Sequence, residues 1–263
     1  MLAGRTGDER RAAELFKDAA DLARRVGDVD GYRHTTGNIV YQDCFAGRWD
    51  EAIARADAFV SECETSPHYM EGGVRGVRSY IRHARGDLAG ALEDAEIALA
   101  RAREIKDPQR IIPSLFDSAR AHTAAGDRDA GRRLAQEGLA EVREHPGLAG
   151  TLGQITFFAG ELGIAGEMLE ILDQVQGSFW RDTARASASG DHARARELYL
   201  EAGAPVLVAE EALLAGEALL RAGEPESARA YLEEALAFYR SVGATVFVER
   251  AERLLSASYS ESA

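Results

Sequence analysis

The chain has 263 residues, enough to bury a substantial core in one domain or two. Its formal charge is −13 and its pI about 5.0, a surface that phosphate backbones repel, so nucleic acid is not an expected partner. Only 6 prolines interrupt a chain crowded with Ala, Leu, Glu and Arg, which predicts helix and leaves little material for a sheet.

From the N-terminus, charge arrives at once, at Arg5, Asp8, Glu9, Arg10 and Arg11, where a signal peptide would be apolar. A first helix is expected from about Asp8 to Val26, with Leu15, Phe16, Ala19, Leu22 and Val26 along its apolar side. Gly7, just before it, opens a series of similarly placed glycines: Gly47, Gly86, Gly126, Gly190 and Gly223. Their successive intervals are 40, 39, 40, 64 and 33 residues. Five positions after each glycine the residue is small, at Ala12, Ala52, Ala91, Gly131, Ala195 and Ala228. Twelve positions after, it is small again at Ala19, Ala98, Gly138, Ala202 and Ala235, with Phe59 the exception. An acidic residue directly follows the glycine at Asp8, Asp87, Asp127, Asp191 and Glu224.

The physics behind the pattern is local. Glycine takes the left-handed conformation that ends a helix, Asp caps the next one, and any carboxylate there suits the positive dipole end. Small residues on that second helix let its partner approach closely. Each unit therefore reads as a helical hairpin, an A helix followed by a B helix. Pairs are expected at roughly 29–62, 68–105, 109–144, 148–175, 178–202 and 206–241, stacked because one hairpin cannot bury its own apolar stripe. The first helix is then a B helix without its A helix. Residues 1–7 are too few to supply one, so the chain is expected to be a fragment or to have that end covered, by a partner or by a second copy in a homodimer.

Along the second and third units, Cys44 and Cys63 stand 19 positions apart without a CxxC spacing, which reads as reduced thiols in a cytoplasmic protein. The glycine-rich run Gly72-Gly73-Val74-Arg75-Gly76 has no strand before it and is expected to be a loose helix start. Arg75, Arg78 and Arg82, with Arg85 near the helix end, share one arc of the third unit's A helix at i, i+3, i+7 and i+10. Arg75, Arg78 and Arg82 are the candidate partner-binding ladder, able to hold carboxylates of a protein or peptide if they face the concave side unpaired. The competing reading pairs them with acids such as Asp57, Glu62 or Glu93. Arg85 is expected to neutralise its own helix's negative terminus.

The longest uncharged stretch, Pro146 to Gly160, is shorter than the ~20 residues a membrane span needs, and a buried helix explains it. The fifth unit, near 146–176, is degenerate: it keeps Gly163 but has Met168 where a small residue is expected. A final helix at about 244–258 is expected to cover the end of the stack, and the whole of 1–263 to form one domain.

A glycine, then Ala five later, a large residue nine later at Phe16, Tyr199 and Leu232, and Ala twelve later resembles the tetratricopeptide repeat. Ala56, Ala95 and Ala135 depart from the large position. The period near 40 is similar to the longer-helix variety in MalT-type and LuxR-type ATPase regulators. The stretch from Ala222 through Tyr231 to Leu255 is similar to the C-terminal end of large bacterial signalling proteins, where an ATPase core, sometimes with a nucleotide cyclase domain, precedes a repeat tail. The resemblance implies an all-α, right-handed superhelical solenoid with a regulatory role.

No catalytic pattern accompanies it. Neither Lys17 nor Lys106 follows a glycine, so there is no P-loop. The histidines His34, His68, His83, His122, His145 and His192 show no HxxxH spacing and are expected at helix ends or facing solvent. The adjacent acids Glu93-Asp94 and Glu210-Glu211 point about 100° apart on a helix, cannot serve one substrate together, and are expected on solvated faces. Ten aromatics fall on or beside expected A helices, from Tyr32 to Trp180, mostly as core with a minority facing the groove. The expectation is a non-catalytic interaction or regulatory module with no cofactor and no metal. Its partner would be a protein, a peptide or another domain of its parent. The alternative is a solenoid sensor that takes a small molecule or short peptide in its groove. An enclosed apolar groove with convergent polar groups would favour sensing, an open charged face protein binding.

Overall fold

The structure is a computed structural model that describes residues 8–260, and over these the chain is helix after helix with no strand. The first helix, α1, spans Glu9–Val26. Three regular hairpins follow: α2 Val29–Phe45 with α3 Trp49–Thr65, α4 Glu71–Ala84 with α5 Leu88–Ile105, and α6 Pro108–Ala124 with α7 Arg128–Glu144. The fifth expected unit is irregular, a 3-10 helix Pro146–Gln154 and the short α8 Thr156–Leu162 against α9 Ala165–Leu172. Pro146, Gly147, Gly150 and Gly153 disfavour a regular helix there. Then come α10 Phe179–Ala188 with α11 His192–Ala202, α12 Pro205–Arg221 with α13 Pro225–Val242, and α14 Thr245–Ser260. None of these helices is long and apolar enough to cross a membrane.

The hairpin signals act as their chemistry requires. Gly86 and Gly126 both sit at φ 90°, a region that side-chain-bearing residues avoid. The first glycine of the series, Gly7, lies outside the described residues. Asp87 Oδ1 accepts the Gly90 N–H at 2.9 Å and Asp127 Oδ1 the Ala130 N–H at 2.9 Å, whereas Glu224 makes no such cap. Asp127→Ala is therefore expected to cost about 1 kcal/mol in a urea titration, and Glu224→Ala about 0.3 kcal/mol, the dipole contribution alone. Equal losses at the two positions would show that side-chain capping is not the source.

The small residues mark close approach. Ala52, Ala195 and Ala228 are fully buried, and a Cβ on Gly138 would stand 2.5 Å from the Phe116 ring. Ala19 departs from the pattern and is exposed; α1 packs on α2, and its buried residues are Ala12, Ala20 and Ala23. Leu22 and Val26 are 54% and 69% exposed, so apolar surface does lie at this end of the stack. The residues expected to be too few for an A helix, 1–7, lie outside the described residues.

The run Gly72-Gly73-Val74-Arg75-Gly76 forms the start of α4, which begins at Glu71 without a side-chain cap, and it is tightly packed there. A Cβ on Gly73 would collide with the Tyr41 hydroxyl of α2, and one on Gly76 with the Asp117 carboxylate of α6. These glycines let three A helices crowd together and curve the array tightly. The array curls until its last helices meet its early ones. Tyr80 of α4 donates its hydroxyl to Glu210 Oε1 of α12 at 2.8 Å, 130 positions away. Trp49 of α3 packs edge-on to Phe238 of α13 at 6.4 Å between ring centres, and Phe247 of α14 lies 5.4 Å from the His83 ring. So α14 does more than cover the end of the stack: it packs on α13 and α12 and also reaches α4. Arg85 donates to the Val242 carbonyl at 3.1 Å, and thus neutralises the C-terminal end of α13 instead of its own helix.

Candidate functional site

The three arginines of the ladder are already paired with acids of the same chain. Arg78 is 8% exposed and grips Asp94 of α5 through Nε at 2.7 Å and Nη2 at 2.6 Å. Arg75 donates to the same Asp94 at 3.1 Å and to Glu71 at 2.9 Å, and Arg82 donates to Asp94 at 2.8 Å. Asp57 of α3 adds a bond to Arg78 at 2.8 Å. The three guanidinium groups turn toward the B helices α3 and α5, while Gly76, Val77 and Tyr80 of the same helix line the cavity described below. The expectation of free arginines on the concave face is thereby corrected. Sequence spacing put them on one arc, and a buried aspartate on the neighbouring helix decides what that arc meets.

The adjacent acids also need correcting. Glu93 is exposed as expected, but Asp94, Glu210 and Glu211 are 1%, 8% and 2% exposed. Glu210 and Glu211 do diverge as successive helical positions must, the first to Tyr80 and the second to His192 Nδ1 at 2.8 Å. His83 lies in the last turn of α4, a helix end as expected, but is buried among Phe158 and Phe247. Glu141, Glu144 and His145 at the end of α7 bring ligand atoms within 4.8 Å of one another, but the carboxylates are half-buried or exposed and read as a solvated helix end.

What the curling creates is a central cavity of about 260 Å³ where A helices from both ends of the array converge. Its apolar wall is aromatic: Tyr41 and Phe45 come from α2, Tyr80 from α4, Trp180 from α10 and Tyr199 from α11. Four of the ten aromatics expected near A helices, Tyr41, Phe45, Tyr80 and Trp180, thus face the groove. Gly150 and Gly153 of the 3-10 segment make room opposite, and Val206 and Leu207 of α12 close the side.

Three charged groups share this wall. Arg120 Nη2 donates to Asp117 Oδ1 at 2.6 Å, and its guanidinium lies 5.0 Å from the Tyr80 ring centre. Burial pushes the Asp117 carboxyl up against the pull of Arg120. Burial likewise pushes the Glu210 carboxyl up to about 7, opposed by the Tyr80 hydrogen bond and Arg120 and helped by Glu211. The Tyr41 phenol is pushed up to about 12 by burial, so it stays protonated. Gln154 Oε1 is buried without a hydrogen bond. A half-open aromatic cavity lined by a few polar groups can hold and orient a small ligand. Sequence reasoning missed Asp117 and Arg120 and read Glu210 as solvated, because the Asp117–Arg120 pair and Glu210 lie far apart in the chain. Their only local trace is acid and base on core-forming A helices.

With that geometry described, known proteins can be set beside it. No protein-family model matches the sequence, and no curated protein matches it. Among solved structures, the chain is similar to a Rap protein crystallised in complex with competence and sporulation factor. The TM-score is 0.58 and the identity 14%, over 99% of this chain and 74% of that one. Likeness at that identity concerns the fold, and the chain accordingly has a tetratricopeptide-like helical repeat fold.

Proposed function

We propose that the chain is a non-catalytic regulatory repeat module that receives its signal as a small molecule or short peptide in the central cavity. The half-open aromatic cavity, formed where α12–α14 meet α2–α4, carries this reading. It favours the sensor over the open protein-binding groove, because the basic ladder that would have lined such a groove is spent inside the chain. The Rap protein's complex with competence and sporulation factor supports a binding role for the fold. Ligand bound between early and late helices would tighten or loosen that closure, and a protein or a neighbouring domain would read the change. The exposed Leu22 and Val26 end of α1 is one surface that such a partner, or a second copy, could cover. In the same proposal 1–263 is a single cytoplasmic domain, the C-terminal repeat part of a bacterial regulator of the MalT or LuxR kind.

The test is a thermal-shift screen of short peptides and small organic molecules against the wild-type chain and Leu207→Trp, which places an indole in the cavity. A ligand at a hundred times its Kd is expected to stabilise the wild type by about 2.7 kcal/mol and to leave Leu207→Trp unmoved. If every hit shifts both chains alike, the cavity is not the site.

A further inference from the structure

The charges on the cavity wall do not balance. Asp117 and Arg120 cancel each other across a 2.6 Å bond. Glu210, 8% exposed, accepts a single hydrogen bond, from Tyr80, and its second oxygen has no partner among the described residues. The groups that bear on it are Tyr80 from α4, Tyr239 from α13, Cys44 from α2, Tyr199 from α11, Arg120 from α6 and its neighbour Glu211 on α12. The one cation among them, Arg120, is bound to Asp117 and stacked on Tyr80, and Glu211 is turned to His192. A carboxylate buried without a counter-ion must either stay protonated or be matched by a positive charge from outside. Gln154 Oε1 adds a second unmet acceptor to the same cavity.

The rest of the wall suits the company of a cation. Tyr41, Phe45, Trp180 and Tyr199 offer ring faces and edges around the space. Aromatic walls with one carboxylate hold ammonium groups well, because ring quadrupoles and charge-assisted hydrogen bonds add in a dry site. The available 260 Å³ equals the volume of about nine waters, which sets the ligand's size at that of a compact organic molecule.

On the reading of this cavity as a ligand site, we infer that its ligand carries a protonated amine on a compact apolar body, with the ammonium seated on Glu210 and the body among the aromatic side chains. An anionic ligand of the same shape meets an unpaired carboxylate. Because burial holds the Glu210 carboxyl up at about 7, seating an ammonium displaces its proton. Affinity should then fall about tenfold for each pH unit below 7 while the amine itself stays charged.

The experiment is calorimetric titration of the full chain with phenethylamine, with the neutral alcohol and with the carboxylate of the same skeleton, between pH 5.5 and 8. A hydrophobic dipeptide amide, with its N-terminus free and acetylated, tells whether the ammonium belongs to a free amine or a peptide terminus. Glu210→Gln keeps the shape and the Tyr80 bond but removes the charge. It is expected to weaken the better amine at least about tenfold at pH 8, to abolish the pH dependence and to leave the alcohol unchanged. Whichever of phenethylamine and the free dipeptide amide binds more tightly names the source, and either result supports the inference. Preference for the carboxylate or alcohol, or unchanged amine binding by Glu210→Gln, overturns it. Hits of other chemistry that Leu207→Trp abolishes would leave the cavity reading standing while sinking the amine.

Discussion

Asp94→Ala is expected to destabilise the chain by about 3–5 kcal/mol, because it strands a buried guanidinium. Asp94 is 1% exposed and receives four bonds of 2.6 to 3.1 Å from Arg75, Arg78 and Arg82. Arg75 keeps Glu71 and Arg82 keeps an exposed Asp87 at 3.7 Å when Asp94 is lost. Arg78 is left with Asp57 alone, whose side chain is 53% exposed and screened by water. The penalty is thus the desolvation of one uncompensated charge, far above the value of a surface pair. Asp57→Ala, which removes only the screened partner, is expected to cost less than about 1 kcal/mol. Urea unfolding of both variants decides between hub and ornament. Replacing the pair together, as Arg78→Met with Asp94→Leu, should recover most of the loss, since apolar packing can substitute for a buried ion pair. A loss at Asp94→Ala as small as that at Asp57→Ala would mean that the arginines find water instead of the aspartate.

The helical hairpins were legible in the sequence because their signals are local. A left-handed glycine, an Asp cap and small residues at two offsets each act within a few turns of helix, so Gly86, Asp87, Ala91 and Ala98 announce a turn and a B helix by themselves. The irregular unit was legible for the same reason, through Gly163 and Met168. The site was not. Tyr80 and Glu210 stand 130 positions apart and meet because the array curls by an amount set by how closely α2, α4 and α6 can approach. Gly73 and Gly76 carry that information, but a glycine in a helix looks the same whether it is a weak point or a contact. Helical arithmetic correctly put Arg75, Arg78 and Arg82 on one arc, and correctly sent Glu210 and Glu211 different ways. Periodicity says which residues share a face. What that face meets is decided by the neighbouring helix, which is how a ladder became an ion-pair hub and three acids expected on solvated faces became buried ones.

The closure places two titrating groups of opposite sign inside the protein, and their removal should split the pH dependence of stability in opposite directions. His83 is buried among Phe158 and Phe247, and burial, aided by Arg120, lowers it from 6.5 to about 4. The unfolded chain takes up a proton at this side chain as pH falls through 6.5 while the folded chain does not, so its stability contribution is present above 6.5 and lost toward pH 4. Glu210 is the reverse, raised from 4.5 to about 7. Its folded form keeps a proton that the unfolded chain releases, so its contribution is present below 4.5 and lost as pH rises to 7. Each span is worth about 3 kcal/mol at about 1.4 kcal/mol per pH unit. Between pH 4.5 and 6.5 the two slopes oppose and largely cancel, so these groups leave the wild-type curve nearly flat there. Glu210→Gln removes the falling branch, so its stability relative to wild type should rise by about 3 kcal/mol from pH 4.5 to 7. His83→Phe, which fills the same aromatic nest, removes the rising branch, so its advantage over wild type should grow by a similar amount as pH falls from 6.5 to 4. Taking differences from the wild type cancels the titration of the many surface carboxylates. Urea unfolding of the three chains at half-unit pH steps shows the split directly, and parallel curves would place both side chains in contact with water.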